Sequence, residues 1–218
     1  MAILAEDLYL LADDAATGRP LIPAAHLDLG LGGALLLDLG LRHRITFNGG
    51  RVAVVTQRPT GETLLDRAIE RMTRTEKPHE PDYWVRHLAR GARRTVQKQL
   101  VDVGVLRHDD HRLLRIVPVH RTPEVDGRLH HELVDHLYEA VVLDRPPSVE
   151  TAALAMLALA VGLEERLFPR SDREAVRRRM AEVATGCHDG AWVATAVMSA
   201  VNAVDAAVGV VPTSPALP

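Results

Sequence analysis

The sequence predicts a mainly α protein, a single helical-bundle domain carrying two β-hairpins. Aromatic residues make up only 3% of the chain, so the core must come from Leu, Val, Ala and Ile, a composition that suits packed helices better than a large sandwich. Apolar residues recur at helical spacing through most segments. Two stretches alone show strand-like residues around a polar turn, at Asn48-Gly49 and at Asp109-Asp110. With 218 residues a substantial core is within reach. No internal repeat is visible and no connection exceeds about ten residues, which gives one domain over 1–210 and a loose tail over 211–218.

The elements follow in order. "LAEDLYLLADDAATG" sets Leu4, Leu8, Leu10 and Leu11 among acids, as in a short amphipathic helix closed by Gly18 and Pro20. "PAAHLDLGLGGALLLDLGL" is a second helix, loosened by Gly30, Gly32 and Gly33. "RITFNGGRVAVV" is a hairpin, and "PTGETLLDRAIERMTRT" is a helix with Thr60 as its N-cap. A long helix is expected from Pro81 to Val103. At about 100° per residue, Val85, Ala89, Ala92, Val96, Leu100 and Val103 form an apolar stripe, and Arg86, Arg90, Arg93 and Gln97 line another face flanked by Arg94 and Lys98. "VLRHDD" and "HRLLRIVPV" read as strands around Asp109-Asp110. Helices over 124–143, 148–167, 171–185 and 190–209 complete the chain, with Ser148 as one N-cap and Ser171 with Glu174 as a capping box.

Several function classes are disfavoured by composition and motif. The net charge of −3 is unlike that of nucleic-acid-binding domains, whose pI usually exceeds about 9; any anion site must be local. Cys187 is the single cysteine, no secretory signal pattern opens the sequence, and a reducing cytosolic setting is expected. Arginine outnumbers lysine 24 to 2, the mark of a GC-rich bacterial genome. "AWVATAVMSAVNAVDAAVGVV" is long enough to span a bilayer but holds Asn202 and Asp205; an Asp at mid-bilayer costs about 2.5–3.5 kcal/mol, so a buried core helix is expected. "LGLGGALLLDLGL" is too short to span and carries Asp38.

No enzyme is expected, and no cofactor or metal. "GLGG" lacks the spacing and the Lys-Ser/Thr ending of a phosphate loop. In "HHELVDH", His131 and His136 stand five apart, which places them on different helix faces, and Glu132 with His136 has no third ligand in view. Cys187 beside His188 is no nucleophile and base pair, since adjacent residues seldom meet that way.

The basic stretch "RHLARGARRTVQKQL" is the strongest functional signal. No acid occurs from 83 to 101, whereas an ordinary solvated helix mixes signs to avoid repulsion. Arg90 and Arg93, three apart, can present two guanidinium forks to one phosphate, with Arg94 and Lys98 as secondary electrostatic contacts. A second reading stays open. A basic helix, "LVDVGVL", then a two-stranded ribbon is also the pattern of a winged-helix DNA-binding regulator, although the acidic net charge and the long helical remainder are unusual for one.

The order of motifs resembles that of the Golgi phosphoprotein 3 family. "EDLYLLADDAATG", "GGALLLDLGLRHRI", "PTGETLLDRAI", "LVDVGVL" and "LALAVGLEERLF" carry the likeness over nearly the whole chain. The resemblance implies a non-enzymatic, cytoplasmic, mostly helical protein at the inner face of the membrane. Its expected partners are anionic lipids, phosphatidylinositol 4-phosphate above all, and client membrane proteins, with no nucleic acid. Arg90 and Arg93 stand where the family has its Arg-x-x-Arg lipid clamp. Pro23 and Gly32 stand where it has a tryptophan and a further arginine. The hairpin after "GVL", with Leu113, Leu114 and Ile116, is implied as a membrane contact or homo-oligomer surface. Ahead of Leu4 there is no counterpart of the arm that binds vesicle coats in eukaryotic members, so coat recruitment is not expected.

Overall fold

The computed structural model describes residues 3–75, 77–107, 109–113, 117–121, 124–125, 127–169, 171–187 and 191–207, with backbone alone for 109–113, 117–121, 203, 204, 206 and 207. Among these residues ten helices and two antiparallel hairpins confirm the mainly α class. The expected tail over 211–218 lies outside the described residues.

At the centre stands α2 (Ala24–Leu41), buried at Leu27 and from Leu29 through Leu39. A helix that is apolar all round must be enclosed, and α1 (Leu4–Ala12), α4 (Pro81–Ala89), α7 (Val149–Ala160) and α10 (Ala191–Ala207) enclose it. By length and composition α2 could cross a membrane, with mean hydropathy 1.3 over its 18 residues, but 67% of it is buried in the fold. Its Asp38 accepts the Leu4 amide of α1 at 2.8 Å. The α2 glycines do not loosen the helix, as the sequence suggested; they seat its neighbours. A Cβ on Gly32 would strike the Val85 carbonyl and lie 2.8 Å from the Ala89 nitrogen, and one on Gly33 would strike Val197 of α10. As expected, α10 is a core helix, and Asp205 is engaged by His26 Nε2 at 2.8 Å.

The first hairpin pairs β1 (Ile45–Asn48) with β2 (Arg51–Val54). Its loop is Gly49-Gly50, both at positive φ, the backbone that two-residue hairpin loops require. In the second, β3 (Asp109–Leu113) pairs with β4 (Val117–Arg121), with Asp109 opposite Arg121 and Leu113 opposite Val117. Asp109 and Asp110 therefore open the ladder instead of turning it, contrary to the sequence reading. Leu114 and Ile116, and the side chain of Leu113, lie outside the described residues.

Helix starts depart from expectation where a nearer acid competes. In α3 (Thr63–Thr73) the cap position is Glu62, and Thr60 instead bonds Asp66 through its hydroxyl at 2.7 Å. In α9 (Arg173–Ala184) Asp172, not Ser171, accepts the Ala175 amide. Ser148 caps α7 as predicted. The stretch after α7 breaks at Gly162 (φ 74) before the short α8 (Glu164–Leu167). Helix α6 (Arg128–Val141) packs on α1 and α9, and buried Glu124 accepts its first amides, Leu129 at 2.7 Å and His130 at 3.1 Å.

Candidate anion-binding corner

The long basic helix is two helices. After α4, Gly91 takes the left-handed conformation (φ 79) and α5 (Ala92–Asp102) leaves in a new direction. Glycine adopts that backbone at no steric penalty, and the break corrects the continuous stripe read from the sequence. Arg90 is the C-cap residue of α4, whereas Arg93 lies in the first turn of α5. The pair shares a corner, not one helix face. Its seat is firm, because Trp84, Val85, Leu88 and Ala89 of α4 and Ala92, Val96 and Leu100 of α5 are buried.

Acids pair with three of these cations, one from α2 and two from one turn away on the same helices. Arg93 Nε stands 3.2 Å from Asp28 Oδ1 of α2. Lys98 pairs with Asp102 at 2.5 Å, and Arg86 reaches Asp82 at 3.9 Å. Arg90 and Arg94 are exposed and have no carboxylate at ion-pair distance among the described residues. Gly91 has no side chain to cap the first amides of α5, so a helix N-terminus, with its partial positive charge, opens onto the same corner. Partial burial raises the Asp28 carboxyl above its usual range, and Arg93 offsets part of that rise. Burial lifts neighbouring Asp13 to about 6, with a Tyr9 hydrogen bond and Arg93 acting the other way.

Pro23 and Gly32 sit differently from each other. Pro23 is the exposed N-cap residue of α2, while Gly32 is enclosed against the α4 backbone. A long cationic side chain at position 32 would have to displace α4 itself. A family model described as Golgi phosphoprotein 3 (GPP34) matches residues 4–204. The chain belongs to that family. Within this Golgi phosphoprotein 3 fold, residues 90–94 form the junction between α4 and α5, and "GGALLLDLGL" is the core helix that positions it.

Three participants at the corner escaped the sequence reading. Arg71 of α3 donates to the carbonyls of His87 and Arg90 at the end of α4. His87 itself is half-buried there, and Asp28 holds Arg93. Each comes from a helix remote in sequence or was masked by the assumption of a continuous helix, so no local pattern announces it. Elsewhere, Glu132 pairs with Arg128 at 2.9 Å and His131 Nδ1 bonds the Gly127 carbonyl at 2.5 Å. Cys187 is buried, and His188 lies outside the described residues.

Proposed function

We propose that this Golgi phosphoprotein 3 family member is a non-enzymatic peripheral membrane protein that docks on anionic lipid head groups, phosphatidylinositol 4-phosphate among them, through the α4–α5 corner. The observation that carries this reading is the exposure of Arg90 and Arg94, without acidic partners among the described residues, beside the open N-terminus of α5. Guanidinium groups and first-turn amides together suit a phosphate. Arg93 joins when the ligand phosphate displaces Asp28, and Lys98 adds long-range attraction. Each basic residue near an anionic surface contributes about 1 kcal/mol, so attachment is weak and salt-sensitive. With Gly32 enclosed, α2 offers no cationic side chain there, and charge outweighs inositol stereochemistry in the recognition. The proposed place of work is the cytoplasmic face of the membrane.

Sedimentation with phosphatidylcholine vesicles, with and without phosphatidylinositol 4-phosphate or phosphatidylserine, at low and physiological salt, tests this. Arg90→Ala combined with Arg93→Ala is expected to abolish pelleting with anionic vesicles while leaving the melting temperature nearly unchanged. Undiminished pelleting of that variant overturns the reading. So does tight binding of duplex DNA at physiological salt without vesicle binding, with a salt slope of about 0.9 decades per phosphate neutralised.

A further inference from the structure

On the α3 side of the same corner, a second group of cations has gathered without an acid. The Arg71 guanidinium is half-buried and donates to the His87 carbonyl, and to that of Arg90 at 3.4 Å. These are carbonyls that the end of a helix leaves without partners, so Arg71 closes α4 while its remaining donors stay free to serve a ligand. The His87 ring lies parallel to Tyr83, with centroids 5.5 Å apart, and Tyr83 stacks on His79 at 3.9 Å. Trp84 meets both imidazoles edge-on. The ladder holds His87 in one orientation beside Arg71. Neither Arg71 nor Arg90 has a carboxylate within ion-pair distance among the described residues.

We propose that Arg71, His87 and Arg90 form a phosphate-binding subsite on the α3 side of the corner, separate from the Arg93–Arg94 side. It rests on the function proposed above only in sharing Arg90. The three side chains, from α3 and α4, lie within electrostatic reach of one another, and arginine cannot shed its charge to relieve repulsion. A phosphate dianion neutralises the cluster and adds charge-assisted hydrogen bonds. The groups facing His87 are Arg71 from α3, Tyr83, Trp84 and Arg90 from α4, and His79 from the preceding loop. Burial first, then Arg71, Arg90 and His79, hold its imidazole below the usual range. These groups therefore favour neutral His87 at neutral pH, and a bound phosphate draws a proton onto it. Affinity for the phosphate dianion, reckoned at the dianion's own concentration, accordingly rises as pH falls, while phosphate itself takes up protons over the same range.

The test titrates inorganic phosphate into the full chain, followed by thermal shift at about pH 7.5 and about pH 6, and measures vesicle sedimentation in parallel. Wild type is compared with His87→Gln, Arg71→Lys and the Arg93→Ala, Arg94→Ala double variant. Phosphate stabilises wild type, His87→Gln binds it about tenfold more weakly, and the gain at low pH disappears in that variant. Arg71→Lys keeps a point charge and falls between the two. Should it fail to fold, His87→Gln still decides. Wild-type phosphate affinity and pH dependence in His87→Gln, or no stabilisation of wild type by phosphate, overturns the subsite. Failure of the membrane reading shows separately, as full vesicle binding by variants of Arg90, Arg93 and Arg94. Phosphate that displaces the protein from vesicles supports a lipid head group as its natural occupant; phosphate that binds without doing so supports a soluble phosphate.

Discussion

The two ends of α5 handle concentrated charge in opposite ways. At its N-terminal end stand the arginines of the corner. At its C-terminal end, Leu100 and Val103 border a cleft of about 390 Å³ that Glu6, Asp7, Leu10 and His136 also line. The acids of that cleft are close to one another. Burial lifts Asp7 to about 7, with Glu6 and the nearby Asp38 of α2, which does not line the cleft, adding to the rise; Glu6 is raised as well, again chiefly by burial. Carboxylates crowded in low dielectric can escape repulsion by taking up protons. Arginines have no such escape. The cleft can therefore settle its charge internally, whereas the corner stays cationic, as the proposed anion site requires.

The largest expected effect breaks the seat of the corner. Gly32→Ala places a methyl against the α4 backbone, and overpacking of this kind destabilises by about 3 kcal/mol. Its denaturation midpoint should drop accordingly; an unchanged midpoint would show that α4 is not fixed there. Next in size is Asp7, which sharpens the contrast at the acidic end. Its folded-state value of about 7 lies above the ordinary aspartate value of 3.8, so the native state holds the proton more tightly. The associated stability is complete below about pH 4 and is lost as pH rises through about 7. Asp7→Asn should stabilise the protein by about 1 kcal/mol at about pH 8 and change little at about pH 4, a figure reduced for the partial exposure of the group. Urea melts across pH check this, and a parallel slope in the variant would remove Asp7 as the cause. The smallest effect tests Arg93. Asp28→Asn frees a half-exposed pair, so stability changes by less than about 0.5 kcal/mol and affinity for anionic vesicles rises about threefold; a fall would mean that Asp28 positions Arg93 instead of occupying it.

The sequence by itself determined the helical class, both hairpins, the burial of α10, the family and the stretch in which the arginines cluster. These are carried by local periodicity, by turn residues and by the order of motifs, all readable along one strand of text. Asp172 took the cap expected of Ser171, and Thr60 turned to Asp66, because two nearby side chains offered rival bonds of similar strength. The tertiary structure alone decided which arginines remain uncompensated. Gly91 could have been tolerated inside one helix, but packing of Trp84, Leu88 and Val96 favours a bend there. Asp28 and Arg71 arrive from α2 and α3, elements whose approach to α4 and α5 is set by the shape of the core. Side-chain spacing fixes a face; the electrostatic partners of that face depend on what the rest of the chain folds beside it.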